Sequence, residues 1–535
     1  MTAKWESIDD ESEAFLAEVR QLEAWWQTDR QKHIKRPYTA ESIAALRNVG
    51  LKIEYPSSAQ GLKLWRMLKE HNANGTYDLT FGTTEPLVAR EIATSSEISY
   101  LLNIPSSYTL EVKTIYVSGG LAGHAQANFP GDDHADYPAD LVPSIVKRIF
   151  NTQLFQDQSQ NQLRMKYPKK ERKHLECIDY MLPIVADADM GFGTLTGCMK
   201  LVRSFVEAGV AMIHIDDLAM GLKKFTNGEG RTIVPTSEYL TRLTAVRMTF
   251  DIMGVDTMLL CRCDSHGAEF ITSVSDPRDH PYVLGATKTI RPFAEIITEA
   301  AKTGKPYSTA KSEWKAAAGL MTFDEAVRAH ATDDQYKPYV DSVIGKVVAL
   351  RERQALAERL LGKRVVFDWE LPRTPLGQYM WQWSSQAVID RCLVAAPLGD
   401  LSWSRQDKKD MHEFHTAIRA VYPDRMFAFG FTGSYDFSQG GYSPEEVESF
   451  HSDIAKLGVV WQFQPVWAMQ GPSVQTRQFA DRFAKGGMAY YIREVAAPAI
   501  TSMPKDGKGN PISRGGHLAD AFFDVVAGRD IAYRE

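Results

Sequence analysis

The chain has 535 residues, 44% hydrophobic and 24% charged, with a net charge of −6. This is the balance of a globular protein in water, long enough for a barrel with insertions or for two to three domains. The acidic balance and the absence of a long basic stretch argue against nucleic acid or an anionic membrane as partner, and no apolar run approaches the roughly 20 residues that cross a bilayer.

In chain order, the acidic start MTAKWESIDDESEAF has neither a signal-peptide core nor the Arg-rich character of a transit peptide, and AYRE is not a peroxisomal signal. The expected location is cytoplasmic. Residues 1–75 read as a mostly helical N-terminal segment. Then come short apolar runs, most followed by helical stretches: YDLTFG (77–82), TIYVSG (114–119), LPIVADAD (182–189), AMIHIDD (211–217), TMLLCRCD (257–264), DLSWS (400–404), MFAFGF (426–431) and VVWQFQP (459–465). In SEYLTRLTAVRMTFDIMG, Leu240, Leu243, Val246, Phe250 and Met253 step by three and four, and Gly254 is placed to end the helix. Eight strand candidates alternating with helices, several nearly all apolar, predict an α/β fold, an eight-stranded β/α (TIM-type) barrel, with a doubly wound sheet as competitor. The long gap between the fifth and sixth runs predicts an inserted, mainly helical subdomain at 275–375. The barrel would then occupy 76–274 and 376–535, the latter with the C-terminal helices. The five cysteines are too few for a disulfide framework. Cys261 and Cys263 alternate on one strand and read as buried thiols.

Chemistry in a β/α barrel sits at the carboxyl ends of its strands. Those ends carry Ser118-Gly119-Gly120, Asp187 and Asp189, Asp216 and Asp217, Arg262 and Asp264, and Thr432 and Ser434. Carboxylates brought together raise one another's pKa unless a cation neutralises them. Mg²⁺, which takes few carboxylates and keeps several waters, suits such a set. Loop caps and solvated turns are the alternative account of the same acids. Asp133 is a loop acid that composition leaves unassigned. The glycine-rich stretch GLKKFTNGEGRTIVP (221–235) reads either as a lid over the site or as a solvated loop.

These residues, with RPYTAESIAALRN, LKIEYPSSAQGLKLW, YVSG, DDHADYP, LPIVADADMGFG, IHIDD, DIMGVD, ITSVSDPRDHPYVLGAT, FDWELPRTPLGQY and WQF in the same order, resemble the isocitrate lyase family of the isocitrate lyase/phosphoenolpyruvate mutase superfamily. The resemblance is to its long fungal and plant-type branch. It implies a β/α barrel with a helical insertion, a Mg²⁺ site (Mn²⁺ possible), a small-molecule carboxylate substrate and a homotetramer with exchanged C-terminal helices. It implies that Asp133, Asp187, Asp189 and Asp216 hold the metal, Asp216 standing where the family has Glu. Tyr116 would be the base for the substrate hydroxyl, and His214 a site histidine. Ser118 and Gly119 would hold the oxo-acid portion and Arg262 its carboxylate.

Several positions depart from the family pattern. The lid reads Lys223-Lys224-Phe225-Thr226-Asn227 in place of Lys-Lys-Cys-Gly-His. Phe225 has no proton to transfer, and losing a general acid costs about 10²–10⁴ in rate. Lys223, Lys224 and Asn227 remain able to bind an anion. Gly120 replaces a Trp and Gln386 a Glu. Gly430-Phe431-Thr432-Gly433-Ser434 replaces Asn-x-Ser-Pro-Ser, and Pro465-Val466 replaces Thr-Leu. The expected activity is carbon–carbon cleavage of a 2-hydroxy acid (isocitrate, methylisocitrate or an alkylated analogue) to glyoxylate or pyruvate and a carboxylate. Phe225 argues against ordinary isocitrate cleavage. An oxo-acid hydrolase or decarboxylase on the same metal site, or a catalytically degenerate paralogue, is the alternative.

Overall fold

The computed structural model describes residues 5–101, 112–126, 137–175, 177–221, 230–404, 407–431, 437–438, 440–501 and 516–529. Eight strands form one parallel sheet: β1 (Asp78–Phe81), β2 (Ile115–Val117), β3 (Ile184–Asp187), β4 (Met212–Ile215), β5 (Met258–Cys263), β6 (Leu401–Ser404), β7 (Met426–Gly430) and β8 (Val459–Gln464). Neighbours in the sheet are neighbours in the chain, with β8 beside β1. Closure between β1 and β2 comes from a parallel bridge between Gly82 and Tyr116 and a bond from Thr83 N to Tyr116 O (2.9 Å). The eight expected strands are present, and the barrel is the fold.

Alternation along the strands builds two cores. Ile184, Ala186, Ile213, Ile215 and Leu259 point outward and pack with helices α1 (Thr196–Ala208) and α2 (Thr236–Met253). Tyr116, Val185, Met212, Met258, Trp403, Ala428, Trp461 and Phe463 fill the interior. That makes it a packed core rather than a pore. Leu64, Trp65 and Leu68 of the helix Pro56–Asn74 join the interior cluster. Gly254 ends α2 in the left-handed region at φ 68°, where glycine carries no steric penalty. Short strands Thr232–Ile233, Phe270–Ile271 and Tyr379–Met380 form a separate three-stranded sheet. Five helices lie between Phe293 and Leu361, several sharing a core around Phe323, Val327, Tyr339 and Ala357. Among the described residues no helix is long and apolar enough to cross a membrane.

Ion pairs pin the N-terminal residues to the amino-terminal face of the barrel. Asp400, just before β6, accepts from Arg30 Nη1 (2.6 Å), Arg247 Nη2 (3.0 Å) and Leu259 N (2.7 Å), and meets His33 Nε2 at 2.9 Å. Burial pushes the Asp400 carboxyl up, but Arg30, Arg247 and His33 outweigh it and hold it well below the usual range. Asp251 of α2 similarly accepts from Arg36 Nε (2.7 Å) and the Tyr38 hydroxyl (2.8 Å). Asp400→Asn would leave two buried guanidiniums without their carboxylate. We expect it to lower unfolding stability by about 3–5 kcal/mol, read as a shift of the urea midpoint.

His415, in the helix Lys408–Val421, is buried against Phe427 and meets the Met411 carbonyl through Nδ1 (2.6 Å). Burial pushes its pKa down to about 4. The unfolded chain therefore takes up this proton first, at its ordinary value near 6.5. Stability is full above that value and falls as pH drops from about 6.5 to 4, by about 3 kcal/mol from this residue. Urea midpoints across this range should fall less steeply in His415→Leu than in the parent. An unchanged slope would show that His415 is not the group responsible.

Candidate active site

The carboxyl ends of β2, β3 and β4 bring the first group of polar side chains together. Asp187 Oδ1 stands 3.4 Å from His214 Nδ1, and His214 Nε2 is 3.1 Å from the Tyr116 hydroxyl. A proton on Nδ1, the ring nitrogen on the side of Asp187, would leave Nε2 to accept from the phenol. All three residues are buried. Asp187 also accepts from Gly119 N (3.2 Å) and Asp189 N (2.9 Å). The Gly119 amide, expected to meet the oxo acid, is thus engaged by a carboxylate. Ser118 caps the short helix Gly119–Ala125 by accepting from Leu121 N at 3.5 Å, and Gly120 is buried in its first turn.

Asp189 adopts φ 46°, a left-handed backbone that costs a non-glycine residue of order 1–3 kcal/mol and gathers at functional sites. Three bonds hold it there: the Asp187 carboxylate on its N–H, the Tyr137 hydroxyl on its side chain, and Asp216 N on its carbonyl (2.8 Å). A Cβ on Gly119 would stand 2.5 Å from Asp189 Oδ2 and 3.1 Å from Asp187 Cγ, so both carboxyls flank one stretch of backbone that glycine alone leaves clear. Asp216, fully buried after β4, accepts from Leu218 N (3.1 Å).

Arg262 of β5 faces this group. Its guanidinium lies 4.3 Å over the Trp403 ring, and Nη2 pairs with Asp264 Oδ2 (2.9 Å). Burial works against its charge, but Asp264, Asp216, Asp187 and Tyr116 outweigh burial and raise its pKa. Arg262 Nε is buried and has no hydrogen-bond partner among the described residues. The side chain is a charged fork with a donor to spare, the form that recognises carboxylates. As metal ligands, Asp187, Asp189 and Asp216 offer hard oxygens only. Among the described residues no three acids, histidines or cysteines close round a single point. Oxygen donors of this kind are those that hard divalent ions such as Mg²⁺ take.

A family model for the isocitrate lyase family matches residues 18–503. The chain belongs to the isocitrate lyase family. It is 48% identical over 497 residues to a mitochondrial 2-methylisocitrate lyase of Schizosaccharomyces pombe, covering 92% of this chain and 93% of that protein. It is 36% identical over 509 residues to an isocitrate lyase of Oryza sativa (91% and 86% covered). A mitochondrial 2-methylisocitrate lyase of Hypocrea atroviridis is 30% identical over 500 residues (91% and 86%). The fission-yeast name sets a second compartment beside the cytoplasmic expectation.

Not every expected residue of this isocitrate lyase family member joins the cluster. Asp133, Lys223, Lys224, Asn227, Thr432 and Ser434 lie outside the described residues. Gln386 is exposed on the helix Ser385–Ala395 and donates to Asp390 Oδ1 (2.7 Å) one turn along. Ala387, Val388, Ile389 and Cys392 of that helix are buried. Gln386 and Asp390 share a different stripe, lining a cavity of about 620 Å³ beside Arg278 and Tyr282 instead of meeting Arg262. Three residues were not anticipated: Tyr137, Trp403 and Arg391. Arg391 had a readable signal, a charge inside the apolar stripe of SQAVIDRCLVA. Tyr137 and Trp403 had none.

Gly430 sits between two aromatic rings. A Cβ there would meet Phe463 Cζ at 2.6 Å and Trp403 Cζ2 at 2.7 Å. The space beside Gly430 is filled by aromatic carbon, which leaves no room there for the asparagine expected from the family pattern. Gly430→Ala should overpack this layer, lowering stability by about 1–3 kcal/mol by denaturant titration. A neutral outcome would mean the rings move aside freely.

Proposed function

We propose that the chain is a magnesium-assisted carbon–carbon lyase that cleaves a 2-methylisocitrate-type hydroxy acid to a 2-oxo acid and a dicarboxylate. The observation that carries this reading is Arg262, a charged side chain whose buried Nε has no partner among the described residues, beside the Asp187–His214–Tyr116 chain. Arg262 would grip the carboxylate of the oxo-acid half, and Ser118 would lend its hydroxyl. Tyr116 would pass its proton to His214 and take the substrate's hydroxyl proton. The adjoining C–C bond then breaks, its electron pair passing to the carboxylate-stabilised carbon of the departing half, which takes a proton from water to give the dicarboxylate. Mg²⁺, or Mn²⁺, held by Asp187, Asp189, Asp216 and Asp133, would stabilise the negative charge developing on the oxygen. Lys223, Lys224 and Asn227 are proposed to bind the anionic substrate from the lid. Thr432 and Ser434 are proposed to line the distal half with Gly120.

The similarity to proteins named 2-methylisocitrate lyase supports a methyl-bearing substrate and pyruvate as product. We also propose a homotetramer. The helix Trp467–Tyr491 has no buried residue and exposes Phe483 and Met488, apolar surface suited to another copy. The segment boundaries at 75, 274 and 375 stand as a proposed division around the barrel. Phe225 favours a second reading, in which the site binds an oxo acid without cleaving a parent acid or performs another step on it.

Incubation with Mg²⁺ and either 2-methylisocitrate or isocitrate, followed by mass spectrometry, separates the two readings. Pyruvate from the first, with little glyoxylate from the second, is expected. A chelator should stop the reaction, and added Mg²⁺ should restore it. No oxo acid from either compound would end the lyase reading.

A further inference from the structure

Behind Arg262 lies a buried ionic chain whose far end is 129 positions away in sequence. Arg391 Nη1 donates to Asp217 Oδ2 (3.0 Å), and Arg391 Nη2 to Asp279 Oδ1 (2.9 Å) and the Val234 carbonyl (2.9 Å). Asp217 Oδ1 accepts from the backbone N of Asp264 (2.7 Å), and its other oxygen from Cys263 Sγ (3.3 Å). The Asp264 side chain pairs with Arg262 Nη2 at 2.9 Å. Asp279 meanwhile accepts from N and Oγ1 of Thr236 (2.8 and 2.6 Å), at the start of α2. Arg391, Asp217 and Asp279 are at most 2% exposed.

We infer that Arg391 is a positioning residue for Arg262: through Asp217 and the Asp264 backbone it fixes the carboxylate against which the Arg262 guanidinium is aimed. The chemistry explains why an arginine stands there. One planar fork reaches two carboxylates and a carbonyl at once, and a lysine ammonium has no comparable fixed span. Asp217 then joins β4 to β5, because it follows the first and holds the backbone amide of Asp264 beyond the second. Two buried carboxylates held by one cation could not approach the site without it. The direction of Arg262 therefore depends on a helix that contributes no group to the substrate.

This inference rests on the reading of Arg262 as the grip for the oxo-acid carboxylate, and its test separates the two. Binding of pyruvate and of succinate, each with Mg²⁺, is measured by calorimetry on the full chain and on Arg391→Lys, Asp264→Asn and Arg353→Lys. Arg353 is a similarly buried arginine paired with Asp324 (2.6 Å) among the inserted helices; it lines the same cavity as Arg391, but among the described residues it bonds to none of Asp217, Asp264, Asp279 and Arg262. It controls for the general effect of loosening a buried pair. Pyruvate affinity should fall about ten- to a hundredfold in Arg391→Lys and Asp264→Asn, the range typical of lost supporting contacts. Succinate affinity should change less than about twofold, and Arg353→Lys should bind both as the parent does. In turnover, the loss should appear in KM more than in kcat, as expected for a contact made equally in ground and transition states. Unchanged pyruvate binding in folded Arg391→Lys, or in Asp264→Asn if the lysine variant does not fold, overturns the inference. Equal loss of both ligands would reveal a merely structural role and overturn it too. A parent chain that binds no pyruvate sinks the functional reading itself and this inference with it.

Discussion

A buried charge must be answered by another charge or by hydrogen bonds, and this barrel applies the rule differently at its two ends. At the amino-terminal face Asp400 is answered by Arg30, Arg247 and the Leu259 amide, with His33 closing the group. Cations match or exceed the acid, and the arrangement is closed. At the opposite face Asp187, Asp189, Asp216, Asp217 and Asp264 gather near Arg262 and Arg391. Among the described residues there is more carboxylate than guanidinium. Backbone amides and the Tyr137 hydroxyl take part of the excess. Among the described residues Arg262 Nε has no partner. One end stabilises the fold, and the other gathers the groups proposed to meet ligands.

Much of this was legible in the sequence because of how parallel barrels bury their strands. A strand covered on both faces reads as an unbroken apolar run, so MFAFG and IVAD announced themselves and the polar residue after each run marked the mouth. Asp187, Asp189, Asp216 and Arg262 were read off in this way, and the structure brings them near one another. Arg391 interrupts an apolar helical stripe, which marks it as a buried charge, but its partners Asp217 and Asp279 lie 174 and 112 positions away and the stripe does not name them. Gln386 misled for a related reason. A residue at the first turn of a helix above the barrel can face the mouth or the inserted helices, and only the buried stripe of Ala387, Val388 and Cys392 decides which.

The backbone of Asp189 shows how the site is held once formed. A left-handed aspartate is tolerated here because its N–H, its carboxylate and its carbonyl are each bonded to a different neighbour, Asp187, Tyr137 and Asp216. These bonds also tie the ends of β3 and β4 to the residue that opens the helix after β2 through Gly119. Displacing any one of them would release backbone strain by moving the carboxylates, which couples the geometry of the acids to the register of three strands.

The two halves of the site differ in what the chain has kept. On the side of Arg262, Tyr116 and His214 the polar groups remain and are interlocked. On the side of β7 the Gly430 position is closed by the rings of Trp403 and Phe463, and Pro465 has no N–H to give. A hydrogen-bonding pocket rejects a ligand that lacks the matching group far more strongly than an apolar wall rejects one extra methyl. An aromatic wall in place of donors would loosen selection at the distal group, while the proposed Arg262 grip would leave the placing of the substrate to the oxo-acid end.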